Sequence, residues 1–187
     1  KIGQALNFDG GDDYVDFNDL YDFNYTDART FTAWIMPNSI SGVRSILTKQ
    51  QTSESYAGWS VVTNAQKLRF EYLNTVSTNQ LQVSSTNNVI TTGKWYYVAI
   101  TYNNKTVKMY VNGSEISTTV NSDNLTSSID TVISFNIGNR NDNNPALSED
   151  FNGSLDDVRV YNRALSANEI ATLYNSGAAK FNVSTTK

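Results

Sequence analysis

At 187 residues and a net charge of −4, the chain has room for one core-forming domain and lacks the clustered basic surface that a nucleic-acid partner requires. The absence of cysteine removes disulfides, thiolate metal sites and a thiol nucleophile, and the absence of histidine removes the usual general base and the commonest transition-metal ligand. Any bound metal must then be held by oxygen, which points to Ca²⁺, and no apolar run approaches the roughly 20 residues of a membrane span.

From Ala5 to about Val160, apolar and polar residues alternate in short runs bounded by Asn, Gly, Asp and Ser, the period of half-buried strands. In chain order the runs are Ala5–Phe8, Tyr14–Phe17, Thr30–Met36, Arg44–Lys49, Gly58–Thr63, Lys67–Tyr72, Tyr96–Tyr102, Thr106–Val111, Glu115–Val120, Val132–Ile137 and Gly153–Tyr161. Asn112-Gly113 supplies the positive φ angles of a type I′ hairpin turn, and a further turn is expected at Asn103-Asn104. Eleven strands need two sheets, so the expectation is an all-β, two-sheet antiparallel jelly-roll sandwich. One short C-terminal helix completes it: Ser166 and Glu169 form a capping box, Leu165 and Ile170 a hydrophobic staple, and Gly177 a left-handed stop. Residues 1–178 are read as the domain and 179–187 as a tail or linker.

Four stretches carry a family resemblance. They are Ala5-Leu-Asn-Phe-Asp-Gly-Gly-Asp-Asp-Tyr-Val, Phe31-Thr-Ala-Trp-Ile-Met-Pro, Gly93-Lys-Trp-Tyr-Tyr-Val-Ala-Ile-Thr-Tyr followed by Met109-Tyr-Val-Asn-Gly, and Gly153-Ser-Leu-Asp-Asp-Val-Arg-Val-Tyr running into the helix. In sequence and order they resemble the laminin G-like jelly-roll domains of the concanavalin A-like lectin/glucanase superfamily. The resemblance implies a module of a larger extracellular or cell-surface protein that binds a glycan or polysaccharide, mediates adhesion, or contacts other modules of the same parent protein. Fold alone does not choose among these.

Three constellations bear on chemistry. The first is a structural Ca²⁺ site from the Asp-rich opening and the closing strand, with Asp9, Asp12 and Asp156 as ligands. Strict alternation puts Asp156 on one face with Val158 and Val160, where a carboxylate needs a partner, and Asp157 on the other with Leu155, Arg159 and Tyr161. The resemblance also favours Asp156, because related glycan-binding sandwiches place an Asp of a closing Asp-Asp-Val motif on calcium. The alternative is that these carboxylates only accept backbone amides in tight turns.

The second constellation is a sugar-binding surface, which pairs an aromatic face with amide and charged side chains at its edge. Tyr56, Trp59, Arg69, Glu71, Tyr72 and Asn74 lie in and beside the loop Gln50–Ala57, and Arg140, Asn141 and Asp142 lie in an Asn-rich rim. Alternation assigns Leu68, Phe70 and Tyr72 to one face and Arg69, Glu71 and Leu73 to the other, so Arg69 and Glu71 are the better groove residues. Phe31, Phe70, Phe135 and Trp95 are assigned to the core; Trp34 and Trp59 fit core or platform. Catalysis is the third: a Glu-x-Asp-x-x-Glu run of the kind found in laminarinase-like enzymes is absent, and Glu54 and Glu71 are isolated. The expectation is a non-catalytic carbohydrate-binding or adhesion module without nucleic-acid or membrane partners, the alternative being a protein-interaction or architectural domain with no glycan ligand.

Overall fold

The computed structural model describes residues 4–50, 57–75, 78–128, 131–140 and 149–178. Thirteen strands and one helix follow in order: β1 (Leu6–Asp9), β2 (Val15–Asp16), β3 (Arg29–Pro37), β4 (Val43–Gln50), β5 (Gly58–Asn64), β6 (Lys67–Thr75), β7 (Asn79–Ser85), β8 (Tyr96–Asn103), β9 (Thr106–Val111), β10 (Ser114–Ile116), β11 (Thr118–Asp123), β12 (Asn136–Ile137), β13 (Asn152–Tyr161) and α1 (Ala167–Ala178). They form a six-stranded sheet in the order β1-β13-β3-β8-β9-β10 and a seven-stranded sheet in the order β11-β7-β6-β5-β4-β12-β2. Every pairing in both sheets is antiparallel, as the alternating pattern predicts.

Three expectations about strands are corrected, the first being Val132–Ile137, which is a strand only over Asn136–Ile137. Asn79–Ser85 is a strand that alternation over only Leu81 and Val83 did not single out. The expected strand Glu115–Val120 is divided at Ser117: its first part pairs β9 in one sheet and its second pairs β7 in the other. The Asn112-Gly113 hairpin is as read, with φ of 50° and 78°.

The seven-stranded sheet separates its chemistry by register. One row across all seven strands reads Val15, Ile137, Leu47, Val61, Phe70, Val83 and Val120. Its central members face the six-stranded sheet and join Phe8, Phe31, Ile35, Ile100, Met109 and Leu155 in the main core. Aromatic rings dominate its middle: Phe31 lies 4.6 Å from Trp59, and Tyr72 stacks on Tyr102 at 6.0 Å.

A second core lies on the outer face of the six-stranded sheet, where α1 covers Trp34, Tyr97, Ala99 and Tyr110 with Ile170, Leu173 and Tyr174. The capping box forms as read: Glu169 N–H donates to Ser166 Oγ at 3.3 Å and Ser166 N–H to Glu169 Oε2 at 2.9 Å. The Arg163 guanidinium and these capping donors hold the Glu169 carboxyl down at about 2. Its support for the helix start is therefore fully present above the ordinary carboxylate range and lost progressively as pH falls from that range through about 2. Gly177 is not the left-handed stop. It is helical, and a Cβ there would stand 2.6 Å from Trp34 Nε1, so its role is to let the helix approach the indole. Among the described residues no helix is long and apolar enough to cross a membrane.

One charge breaks the inner-face pattern. Lys49 pairs with Trp59 in register, and its side chain is wholly buried. Its ammonium donates to Asp19 Oδ1 at 2.5 Å and to the Ile133 carbonyl at 2.7 Å, with Asp22 Oδ1 at 3.4 Å. These contacts tie residues 17–23 and 131–135 to the end of the sandwich, where Trp59 Nε1 also donates to the Tyr21 carbonyl at 3.2 Å. Replacing both carboxylates (Asp19→Ala with Asp22→Ala) leaves a buried ammonium with one carbonyl, and should cost about 3 kcal/mol in urea unfolding. A double variant as stable as the parent would show that this charge is hydrated instead.

Candidate functional site

The residue next to each member of the apolar row points to the other side of the sheet. Across β2 to β7 these neighbours are Asp16, Asn136, Thr48, Ser60, Glu71 and Gln82, and a register shift in β11 between Val120 and Ser122 brings Ser122 opposite Gln82, so the polar row is continuous from one edge of the sheet to the other. The adjacent row on this face reads Ser45, Val62, Arg69, Ser84 and Thr119.

Glu71 is the centre of this face. Its carboxylate is nearly buried and accepts on both oxygens, from Gln82 Nε2 at 2.8 Å on Oε1 and from Ser60 Oγ at 3.1 Å on Oε2. Two guanidiniums complete the set: Arg69 Nε stands 3.0 Å from Oε1, and Arg140 Nη2 stands 3.2 Å from Oε2. Arg140 reaches on to Glu149 Oε2 through Nη1 at 2.8 Å. Burial of Glu71 and Arg140, with the half-buried Arg69 and Glu149 beside them, is tolerable because each charge has a partner of opposite sign. Thr48 Oγ1 donates to the Asn139 carbonyl at 2.5 Å, so the chain at 139–140 lies over the β4–β5 half of the row. Gln80 and Gln82 remain partly open on the β7 side.

Of the sugar-binding residues read from sequence, Arg69, Glu71 and Arg140 come together on this face. Trp59 and Tyr72 do not. Both point inward, 3% and 0% exposed, because they occupy the same alternation phase as Val61 and Phe70. Tyr72 spends its hydroxyl on the Phe23 carbonyl at 2.6 Å. Asn74 ties the end of β6 to Ser128 O at 3.0 Å. Tyr56, Asn141 and Asp142 lie outside the described residues. Gln82, Ser60 and Glu149 were missed; the signal for Gln82 was the Gln80-Leu81-Gln82-Val83 alternation.

The acidic opening gathers differently from expectation. Asp9 and Asp12 are joined by Asp13, with one carboxylate oxygen of each lying within 4.8 Å of the others, all exposed. Asp9 Oδ1 accepts the Gly11 amide at 2.7 Å and Asp13 Oδ2 accepts the Asp9 amide at 2.9 Å. Asp156 is not among them. β1 pairs with β13 so that Asp9 faces Asn152, which leaves Asp156 about 13 Å further along the strand.

The reading of Asp156 as a companion of Val158 and Val160 is corrected by a β-bulge. Asp157 takes φ of 49° and the register with β3 slips between Asp156 and Arg159. Leu155, Val158 and Val160 therefore face the main core, whereas Asp156 lies opposite Trp34 on the outer side and accepts the Asp157 amide at 2.7 Å.

Solved structures share this architecture. The CBM40 of the Ruminococcus gnavus IT-sialidase, bound to α2,3-sialyllactose, superposes with a TM-score of 0.68 at 17% identity, covering 93% of this chain and 97% of that one. The binding domain of Paraclostridial Mosquitocidal Protein 1 gives 0.67 at 17% identity over 92% of this chain, which spans 43% of that one. A SAP-like pentraxin from Limulus polyphemus gives 0.61 at 17% identity over 90% of this chain and 80% of that one. At this identity the likeness concerns the fold. No curated protein matches the chain. The sequence itself matches the concanavalin A-like lectin/glucanases superfamily, in its laminin G group, over residues 9–171, and the chain belongs to that family.

Proposed function

We propose that the chain is a non-catalytic carbohydrate-binding module that meets its glycan on the outer face of the seven-stranded sheet. The observation that carries this is the polar row centred on Glu71: Asn136, Thr48, Ser60 and Glu71 are buried at its middle, and Gln82 and Ser122, with Gln80 beside them, are partly open and present amide and hydroxyl groups in fixed register to sugar hydroxyls. The family and the architecture support it. Among structures with this fold, one is a sialidase CBM40 bound to α2,3-sialyllactose and another a botulinum neurotoxin binding domain in complex with SialylT.

A hydrolytic role fits poorly. A glycosidase needs one carboxyl poised to give a proton and a second free to act as base or nucleophile. Glu71 and Glu149 instead share the Arg140 guanidinium, so both carboxylates are engaged with the same cation and neither stands apart for the other role. The reading carries an extracellular or cell-surface setting with it, since that is where such glycans are met.

A second reading, protein interaction, is favoured by one observation. Phe17, Leu20, Tyr21 and Val132 are 36%, 51%, 45% and 87% exposed around the Lys49 anchor, a larger apolar display than scattered surface residues give. The two readings part on a glycan panel. Binding to plant, algal or host glycans that falls at least about tenfold in Gln82→Ala with Gln80→Ala supports the sheet face. A blank panel for the folded wild type would discard it and leave protein interaction.

We also propose that Asp9, Asp12 and Asp13 hold a calcium ion. Oxygens bound to one Ca²⁺ stand at most about 4.8 Å apart when each bond is about 2.4 Å, and one carboxylate oxygen of each Asp lies within 4.8 Å of the others. Two of its oxygens accept backbone amides, which orients the carboxylates without using up their remaining lone pairs. Calcium at ten times its Kd should raise the melting temperature by about 3–5 °C over EDTA, and Asp12→Asn with Asp13→Asn should abolish the rise. An unchanged melting temperature in excess calcium removes the ion from this reading.

A further inference from the structure

We propose that this face selects uncharged glycans and that Glu71 enforces the selection. The inference rests on the carbohydrate-binding reading and adds the ligand's charge to it.

The argument begins with the guanidiniums of Arg69 and Arg140. Recognition of a carboxylated or sulfated sugar needs a cation whose charge is not already spent, because the anion gives up hydration on entering a partly dry groove. Here the charge is spent: Arg140 is held between Glu71 Oε2 at 3.2 Å and Glu149 Oε2 at 2.8 Å, and Arg69 is held on Glu71 Oε1 at 3.0 Å. Two positive and two negative groups leave the quartet neutral. An anion that approaches Arg69 also meets the Glu71 carboxylate immediately behind it, which cancels most of the attraction.

Lys67 shares the Arg69 face but sits two residues along at the hairpin end, about 7 Å away and on the far side from Gln80. The whole chain carries −4, which opposes anions at longer range as well.

Uncharged hydroxyls suffer none of this. Gln82 donates its amide to Glu71 and keeps its carbonyl oxygen as an acceptor, while Gln80 and Ser122 add neutral donors and acceptors along the open side. Glu71 itself accepts from Ser60, Gln82 and Arg140 and pairs with Arg69 at 3.0 Å, so it has little left for a sugar. It acts as a positioning residue that fixes Gln82 and neutralises both arginines.

The test compares matched pairs that differ in charge: lactose with α2,3-sialyllactose, and methyl-esterified with free polygalacturonate. Titrations use the wild type and Glu71→Gln, whose folding is checked by thermal melting. The wild type should bind the neutral member of whichever pair it recognises at least about tenfold more tightly than the charged one. Glu71→Gln leaves the face with one net positive charge, and should raise affinity for the charged member by about tenfold, with a steeper salt dependence than the wild type. Equal or tighter binding of the charged member by the wild type overturns the selectivity while leaving the carbohydrate-binding reading intact. Absence of binding to every member of a broad glycan panel overturns both. If Glu71→Gln does not fold, the wild-type comparison decides alone.

Discussion

Within the seven-stranded sheet, a step of one residue separates a register row that is apolar throughout from one that is polar throughout. Pleating makes the two rows face opposite ways, so the separation commits one side to the core and the other to partners that hydrogen-bond. A register slip of one residue would place Glu71, Ser60 and Thr48 against the aromatic core and leave Phe70, Val61 and Leu47 outside. The register is therefore fixed by energy on both faces, and that fixes which side chains can meet on the outer one. Arg69, Glu71 and Gln82 come from neighbouring strands, and their mutual distances are a property of the sheet more than of any loop.

Lys49 shows the cost of an exception. It stands in the inner phase, beside Trp59, and the sandwich accommodates it by bringing Asp19, Asp22 and the Ile133 carbonyl to its ammonium. Meeting that demand draws residues 17–23 across the end of the core, where Asn18 and Tyr21 take φ of 56° and 65°. Such a conformation is unfavourable for a bulky residue such as tyrosine, and it persists because the ion pairs and the Trp59-to-Tyr21 hydrogen bond over-determine it. The exposure of Phe17, Leu20 and Tyr21 follows from where this anchored loop ends up.

What the sequence disclosed, it disclosed by period. Leu68, Phe70 and Tyr72 against Arg69, Glu71 and Leu73 could be sorted to faces because two residues per repeat leave no alternative. The same rule places Trp59 and Tyr72 inward, because they share the phase of Val61 and Phe70 whatever their aromatic character. The closing strand departs from the rule. A single left-handed residue at Asp157 resets the phase of all that follows, and Asp157 has no glycine-like signature to announce it. Division of Glu115–Val120 between two sheets depends on where the chain crosses the sandwich, a long-range fact that alternation does not encode. The Arg140–Glu71 pair spans 69 residues and was legible only as two separate candidates.

The two outer faces of the sandwich differ in a way that bears on where a ligand can sit. The six-stranded sheet carries Trp34, Tyr97 and Tyr110 on its outer side, and α1 closes over them, with Gly177 set against the indole to allow the contact. That face has its partner within the chain. The seven-stranded sheet has no helix among the described residues, and on its outer side Ser60, Gln82, Arg69 and Arg140 converge on Glu71. A polar face gains little from an apolar cover, and its partly open Gln80 and Gln82 lose little by exchanging water for sugar hydroxyls. This is why the proposed ligand is placed on the sheet that the helix leaves alone, and why its charge matters: the hydrogen bonds are exchangeable, but the ion pairs beneath them are not.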